Sequence, residues 1–151
     1  MITMKTSQKS GVVTYSLITG ILLLVTLTIL LGSRESILPI ALVVLIQLIA
    51  LAMFYQITVT VDDQQLMFTM GTGLIKRTYP LNQIESCKAV RNRWWYGWGI
   101  RYFPGGILFN VTGLDAIELK LKKKRSVVRI GTKIPQELSD FVNAKINTST
   151  P

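Results

Sequence analysis

Eight carboxylates, one thiol and no imidazole make up the conventional catalytic groups of this 151-residue chain. Without His, no Ser–His or Cys–His nucleophile arrangement can form. With Cys87 as the single Cys, an intrachain disulfide and a His/Cys metal centre are also excluded. Asp62 and Asp63 fall in a turn-like DDQQ stretch, while Glu85, Glu118 and Asp140 are scattered. General acid–base work needs two carboxyl groups placed around one substrate, and nothing in this spacing supplies that pair. No GxxxxGK[ST] or GxGxxG sequence occurs, and MGTG (70–73) is too short for a phosphate loop. The sequence therefore assigns no catalytic residue, no cofactor and no metal ligand, and the expectation is a protein that is not an enzyme.

Binding chemistry is better represented. RNRWWYGWGIRYF (91–103) concentrates Trp94, Trp95 and Trp98 among Arg91, Arg93 and Arg101. Indole rings settle at a bilayer's headgroup level, and guanidinium groups stack on them or pair with phosphate. The plainer reading is a connection folded over a core, and Trp98 and Ile100 are read that way. For Trp94 and Trp95, flanked by Arg, the two readings weigh equally. A second basic cluster, LKLKKKRS (119–126), places Lys122, Lys123, Lys124 and Arg125 in one strand turn. Such a run is ordinarily a solvated turn, although near anionic lipid each cation contributes about 1 kcal/mol of attraction. The candidate membrane or ligand contacts are accordingly Arg91, Arg93, Trp94, Trp95, Arg101, Lys122, Lys123, Lys124 and Arg125.

Two apolar stretches must position these groups. Residues 12–31 and 37–55 contain no Lys, Arg, Asp or Glu and are separated by GSRES. The first holds seven Leu, three Ile and three Val, a content that favours bilayer insertion by about 4 to 8 kcal/mol. Pro39 lies in the first turn of the second, where a missing N–H costs little. A cleaved signal peptide fits less well, because LLGSR lacks a small-x-small site. The expectation is a transmembrane hairpin over 12–55. Lys5 and Lys9 precede it, and fourteen Lys/Arg against seven Asp/Glu follow it. By the positive-inside rule both termini are expected in the cytoplasm of a bacterial inner membrane. Gln47, near the middle of the second stretch, is expected to bond to Thr19, Thr26 or Thr28, with a second copy of the chain as the alternative.

Period-two alternation begins at once after Tyr55 and marks seven strands. They are 57–61, 66–70, 74–79, 83–90, 106–111, 116–122 and 126–131. AIELKLK is the cleanest, with Ile117, Leu119 and Leu121 on one side and Glu118, Lys120 and Lys122 on the other. PQELSDFVNAKI (135–146) then changes to helical spacing, with Leu138, Phe141, Val142 and Lys145 at i, i+3, i+4 and i+7. The chain divides into an N-terminal tail (1–11), the hairpin (12–55), a soluble domain (56–147) and a tail (148–151).

Two spans, seven strands and a closing helix, with YGWGIR (96–101), GGILFNVTGLDAIELKL (105–121) and RIGT (129–132), resemble the bacterial membrane-anchored PH-domain-like proteins. The resemblance covers the whole chain and is sharpest over 96–132. It implies an α+β membrane protein whose domain is a seven-stranded PH-like bent β-barrel capped by a C-terminal helix. It does not imply phosphoinositide binding, because the first strand turn of the domain carries Asp62 and Asp63, which repel phosphate.

The functional expectation is a non-catalytic module that scaffolds or regulates a membrane-protein partner at the cytoplasmic face. The alternative is a lipid-headgroup or small-ligand binder using the aromatic–Arg segment and the Lys-rich turn. Expected partners are the lipid bilayer, a membrane protein or a further copy of the chain. Nucleic acid is not expected, since the basic groups are few.

Overall fold

A computed structural model describes residues 3–31, 37–111 and 113–149; side chains at 12, 13, 27, 31, 37 and 149 are not described. The fold is α+β, with nine strands in two sheets and three helices among the described residues.

The first sheet has the order β1-β2-β3-β4, all antiparallel, formed by β1 (Met4–Lys9), β2 (Gln56–Val61), β3 (Gln65–Met70) and β4 (Ile75–Pro80). Alternation dictates its inner face. Ile57, Val59 and Val61 on β2 and Leu66, Phe68 and Met70 on β3 are all fully buried, while the residues between them are half-exposed. The β2–β3 turn is held by Asp62, whose carboxylate accepts from the backbone N–H groups of Gln64 (2.9 Å) and Gln65 (2.8 Å).

The second sheet has the order β5-β8-β9-β7-β6. Its strands are β5 (Ile84–Arg91), β6 (Gly99–Phe103), β7 (Gly106–Asn110), β8 (Asp115–Leu121) and β9 (Val127–Gly131). All its pairings are antiparallel except β7 with β9, which is parallel. One close approach fixes this join: a Cβ on Gly131 would strike the Asn110 side chain, so only Gly fits. Helix α3 (Pro135–Ser149) covers the core with Leu138, Val142 and Ile146, and the core proper joins both sheets through Phe68, Phe109, Ile117, Leu119 and Ile130.

These two sheets correct the expected seven-stranded antiparallel barrel. Two strands are added. The chain's first residues form β1, which pairs with β2 from Met4↔Val61 to Lys9↔Gln56. Part of the aromatic segment forms β6, paired with β7. The parallel β7–β9 ladder is a further departure.

Helices α1 (Gly11–Leu31) and α2 (Ile37–Phe54) are inserted between β1 and β2. The Ser10 N–H donates to the Tyr55 carbonyl (2.8 Å), so the chain leaves and re-enters the first sheet at one point. Gly71 sits beneath the end of α2 at φ 59°. Its N–H donates to Gln56, and a Cβ there would collide with the carbonyls of Ala52 and Met53. Along their length the two helices touch where Gln47 lies over Gly20.

The expected membrane crossing is overturned. No helix among the described residues is long and apolar enough to cross a membrane. The 18 residues of α2 rise about 27 Å, short of the roughly 30 Å hydrocarbon core. The GSRES turn expected to join a hairpin lies outside the described residues. The expectation of a transmembrane protein, the multi-pass inner-membrane location and the cytoplasmic assignment of both termini fall with that finding.

Candidate interaction surface

Most side chains of α1 and α2 are apolar, and the pair leaves them uncovered. Leu22, Leu23, Ile29 and Leu30 on α1 and Leu38, Leu42 and Ile46 on α2 are exposed, with Leu38 reaching 81 %. A contiguous apolar surface of this kind marks a place where something else packs. Three hydroxyls along α1 bond within their own helix. Thr19, Thr26 and Thr28 each donate to the carbonyl four residues earlier in their own helix. Gln47 consequently finds none of the three expected threonines, and its Oε1 is buried without a hydrogen bond.

The aromatic–Arg segment emerges from the end of β5. Arg91 closes that strand, buried Asn92 donates its N–H to Leu114 (2.7 Å), and Trp94–Tyr96 form a single 3₁₀ turn. Trp94 is 74 % exposed and packs edge-on to Trp95 at 5.8 Å. The Arg93 guanidinium lies 4.9 Å over the Trp95 ring. Tyr96 stacks on Phe103 at 5.6 Å, and the Arg129 guanidinium lies over the Phe103 ring at 4.5 Å. Trp98 and Ile100, read as part of a connection folded over the core, are on the surface. The reason is that residues 99–103 form an outer strand, so their side chains border the sheet edge. Arg101 donates to the Trp98 carbonyl (3.3 Å).

Gly97 through Arg101 face the base of the helices across a groove of about 460 Å³, completed by Leu17, Ala50 and Phe54. The aromatic segment and the apolar helices therefore occupy the same end of the molecule.

Lys122, Lys123, Lys124 and Arg125 do not join them. Ile84 at the start of β5 pairs with Leu121, beside the Lys-rich turn, whereas Arg91 at its end pairs with Asp115. The seven residues of β8 lie between, about 20 Å at strand rise. All four cations are exposed. The nine candidate contacts thus form two separate groups rather than one site.

Several of the carboxylates are engaged in structure. Glu118 pairs with Arg129 (2.8 Å), Glu85 with Lys120 (2.8 Å) and Asp63 with Lys145. The hydrogen bond from the Gln64 N–H, opposed by burial and helped by those from Gln65, holds Asp62 below its ordinary pKa. Burial pushes the Cys87 thiol up to about 12, with Asp140 adding to the shift, so the thiolate is suppressed. Among the described residues, no group of three or more His, Cys, Asp or Glu is placed to hold a metal ion.

Two further exposed apolar side chains lie outside the nine candidates, Leu74 (74 %) and Tyr102 (86 %). GIRYF (99–103) shows no clear period-two pattern, so nothing in the sequence marked it as a strand.

Fold and surface together describe a two-sheet α+β protein with an apolar helix pair set into its first sheet. No protein-family model, curated protein or solved structure matches the chain.

Proposed function

We propose that this protein is a non-catalytic interaction module that scaffolds or regulates a membrane-protein partner, with α1 and α2 covered by that partner in the complex. The observation that carries this reading is the exposed apolar surface of the two helices. Helices that are apolar on all sides persist only where another apolar surface excludes water from them. The junction at Ser10 and Tyr55 supports the same reading, since it ties both helices to one rigid sheet and gives a bound partner a fixed orientation. The ion-paired carboxylates and suppressed thiol favour a binding role over catalysis. Purification of the full chain in mild detergent is expected to recover one membrane protein in constant stoichiometry. Repeated recovery of the chain alone would refute the reading.

A second reading, lipid-headgroup binding, is favoured by the exposed Trp94 and Trp95 beside Arg93. The Lys-rich turn has no part in it, being at the opposite end of the second sheet. Trp94→Ala with Trp95→Ala should then weaken flotation of the full chain with anionic liposomes. A fragment beginning at residue 56 is unsuitable, because it lacks β1.

A further inference from the structure

The two sheets have four outer strands: β1 and β4 in the first, β5 and β6 in the second. Two of these edges are closed by side chains. Gln8 on β1 donates to Thr132 (2.8 Å) and accepts from the Lys133 N–H, joining β1 to the end of the second sheet. Asn143 on α3 bonds both backbone groups of Cys87 on β5. The other two edges, β4 and β6, border a common cleft of about 310 Å³ floored by Phe109 and Ile107. An unpaired edge offers a row of backbone donors and acceptors to any extended chain.

The side chains around this cleft specify what would fit. On β4, Ile75 and Arg77 stand opposite Met70 and Phe68 and share their core-facing side, while Lys76 stands opposite Thr69 on the other side. On β6, Ile100 and Tyr102 stand opposite Phe109 and Ile107, while Arg101 stands opposite Leu108. A strand laid between β4 and β6 would thus meet mostly apolar groups on one face and be flanked by Lys76 and Arg101 on the other. Neither Lys76 nor Arg77 has an acidic partner among the described residues.

From this geometry we propose that the β4–β6 cleft is a strand-addition site for an extended segment of a partner protein in which apolar and acidic residues alternate. Main-chain bonds to the two edges supply affinity, and the alternation supplies register. The proposal stands whatever covers α1 and α2.

The test is fluorescence anisotropy of a labelled octapeptide of alternating Val and Glu against the full chain in mild detergent. Saturable binding is expected, with new amide-exchange protection in Ile75–Pro80 and Gly99–Phe103. The Lys76→Glu, Arg101→Glu double variant should bind at least tenfold more weakly and should instead accept a Val–Lys octapeptide, which shows that it is folded. N-methylation of the peptide at its Val or at its Glu positions should also weaken binding tenfold or more. No binding at millimolar peptide, equal affinity of the double variant, or unchanged affinity in both N-methyl series would overturn the proposal. So would phosphatidylglycerol vesicles binding at these residues when the peptide does not.

Discussion

Asn143 on α3 holds both backbone groups of Cys87: its Oδ1 accepts from the Cys87 N–H at 3.0 Å and its Nδ2 donates to the Cys87 carbonyl at 2.8 Å. Cys87 lies on β5, an outer strand, so the amide takes the place of a missing neighbouring strand. Among uncharged side chains only the carboxamide of Asn or Gln offers a donor and an acceptor side by side in that way.

Asn143→Leu should therefore cost about 1–3 kcal/mol, because it leaves two backbone groups of a covered strand without partners. Urea unfolding of the variant measures this as a lower midpoint. An unchanged midpoint would mean that water replaces the amide freely at that edge.

Gln8 performs the corresponding task for β1, through Thr132 and Lys133. Gln8→Ala should loosen β1 first, seen as faster amide exchange over Met4–Lys9 while exchange in β8 stays slow. Uniform acceleration across both sheets would show instead that β1 is inseparable from the global fold.

Asp62 and Cys87 make stability depend on pH in opposite senses. The lowered pKa of Asp62 contributes stability that is present above its ordinary value of 3.8 and is lost as pH falls through the folded value. Cys87 is raised from 9.0 to about 12, so its contribution is present below pH 9 and is lost as pH rises toward 12. The folded chain should accordingly react negligibly with a thiol-specific disulfide reagent from pH 7 to 10, and readily once unfolded in denaturant. Fast reaction of the folded chain at pH 8 would contradict the buried placement of Cys87.

Gln47 carries an unsatisfied buried oxygen against α1. Replacing it with an apolar group of similar size removes that penalty, so Gln47→Leu should be neutral or stabilising by up to about 1 kcal/mol. A loss of stability, read from the thermal midpoint, would show that the amide has a partner at this position in solution.

Much of the sheet architecture was legible because burial on one face imposes period two. Ile57, Val59 and Val61, and likewise Ile117, Leu119 and Leu121, announce strands that the structure contains. Helix α3 was legible through Leu138 and Val142 for the same reason at period 3.6. Met4–Lys9 was not, since MKTSQK has no apolar alternation; it is a strand because β2 offers an unpaired edge and Gln8 finds Thr132, both long-range facts. Nor could composition separate Trp98 at a sheet edge from Trp98 in a core. The two basic groups looked like one surface because sequence distance says nothing of strand direction, and β8 sets them about 20 Å apart. Apolar content was equally insufficient for α1 and α2: it announces that they must be covered and leaves open by what.

That last point is open to direct measurement. A photoreactive amino acid placed singly at Leu23, Leu30, Leu42 and Ile46, followed by irradiation in intact cells, reads out what lies against these exposed positions. The account predicts that all four yield an adduct with the same membrane protein, and that the same substitution at buried Leu138 yields none. Adducts with lipid alone, or no adduct at any of the four, would contradict it.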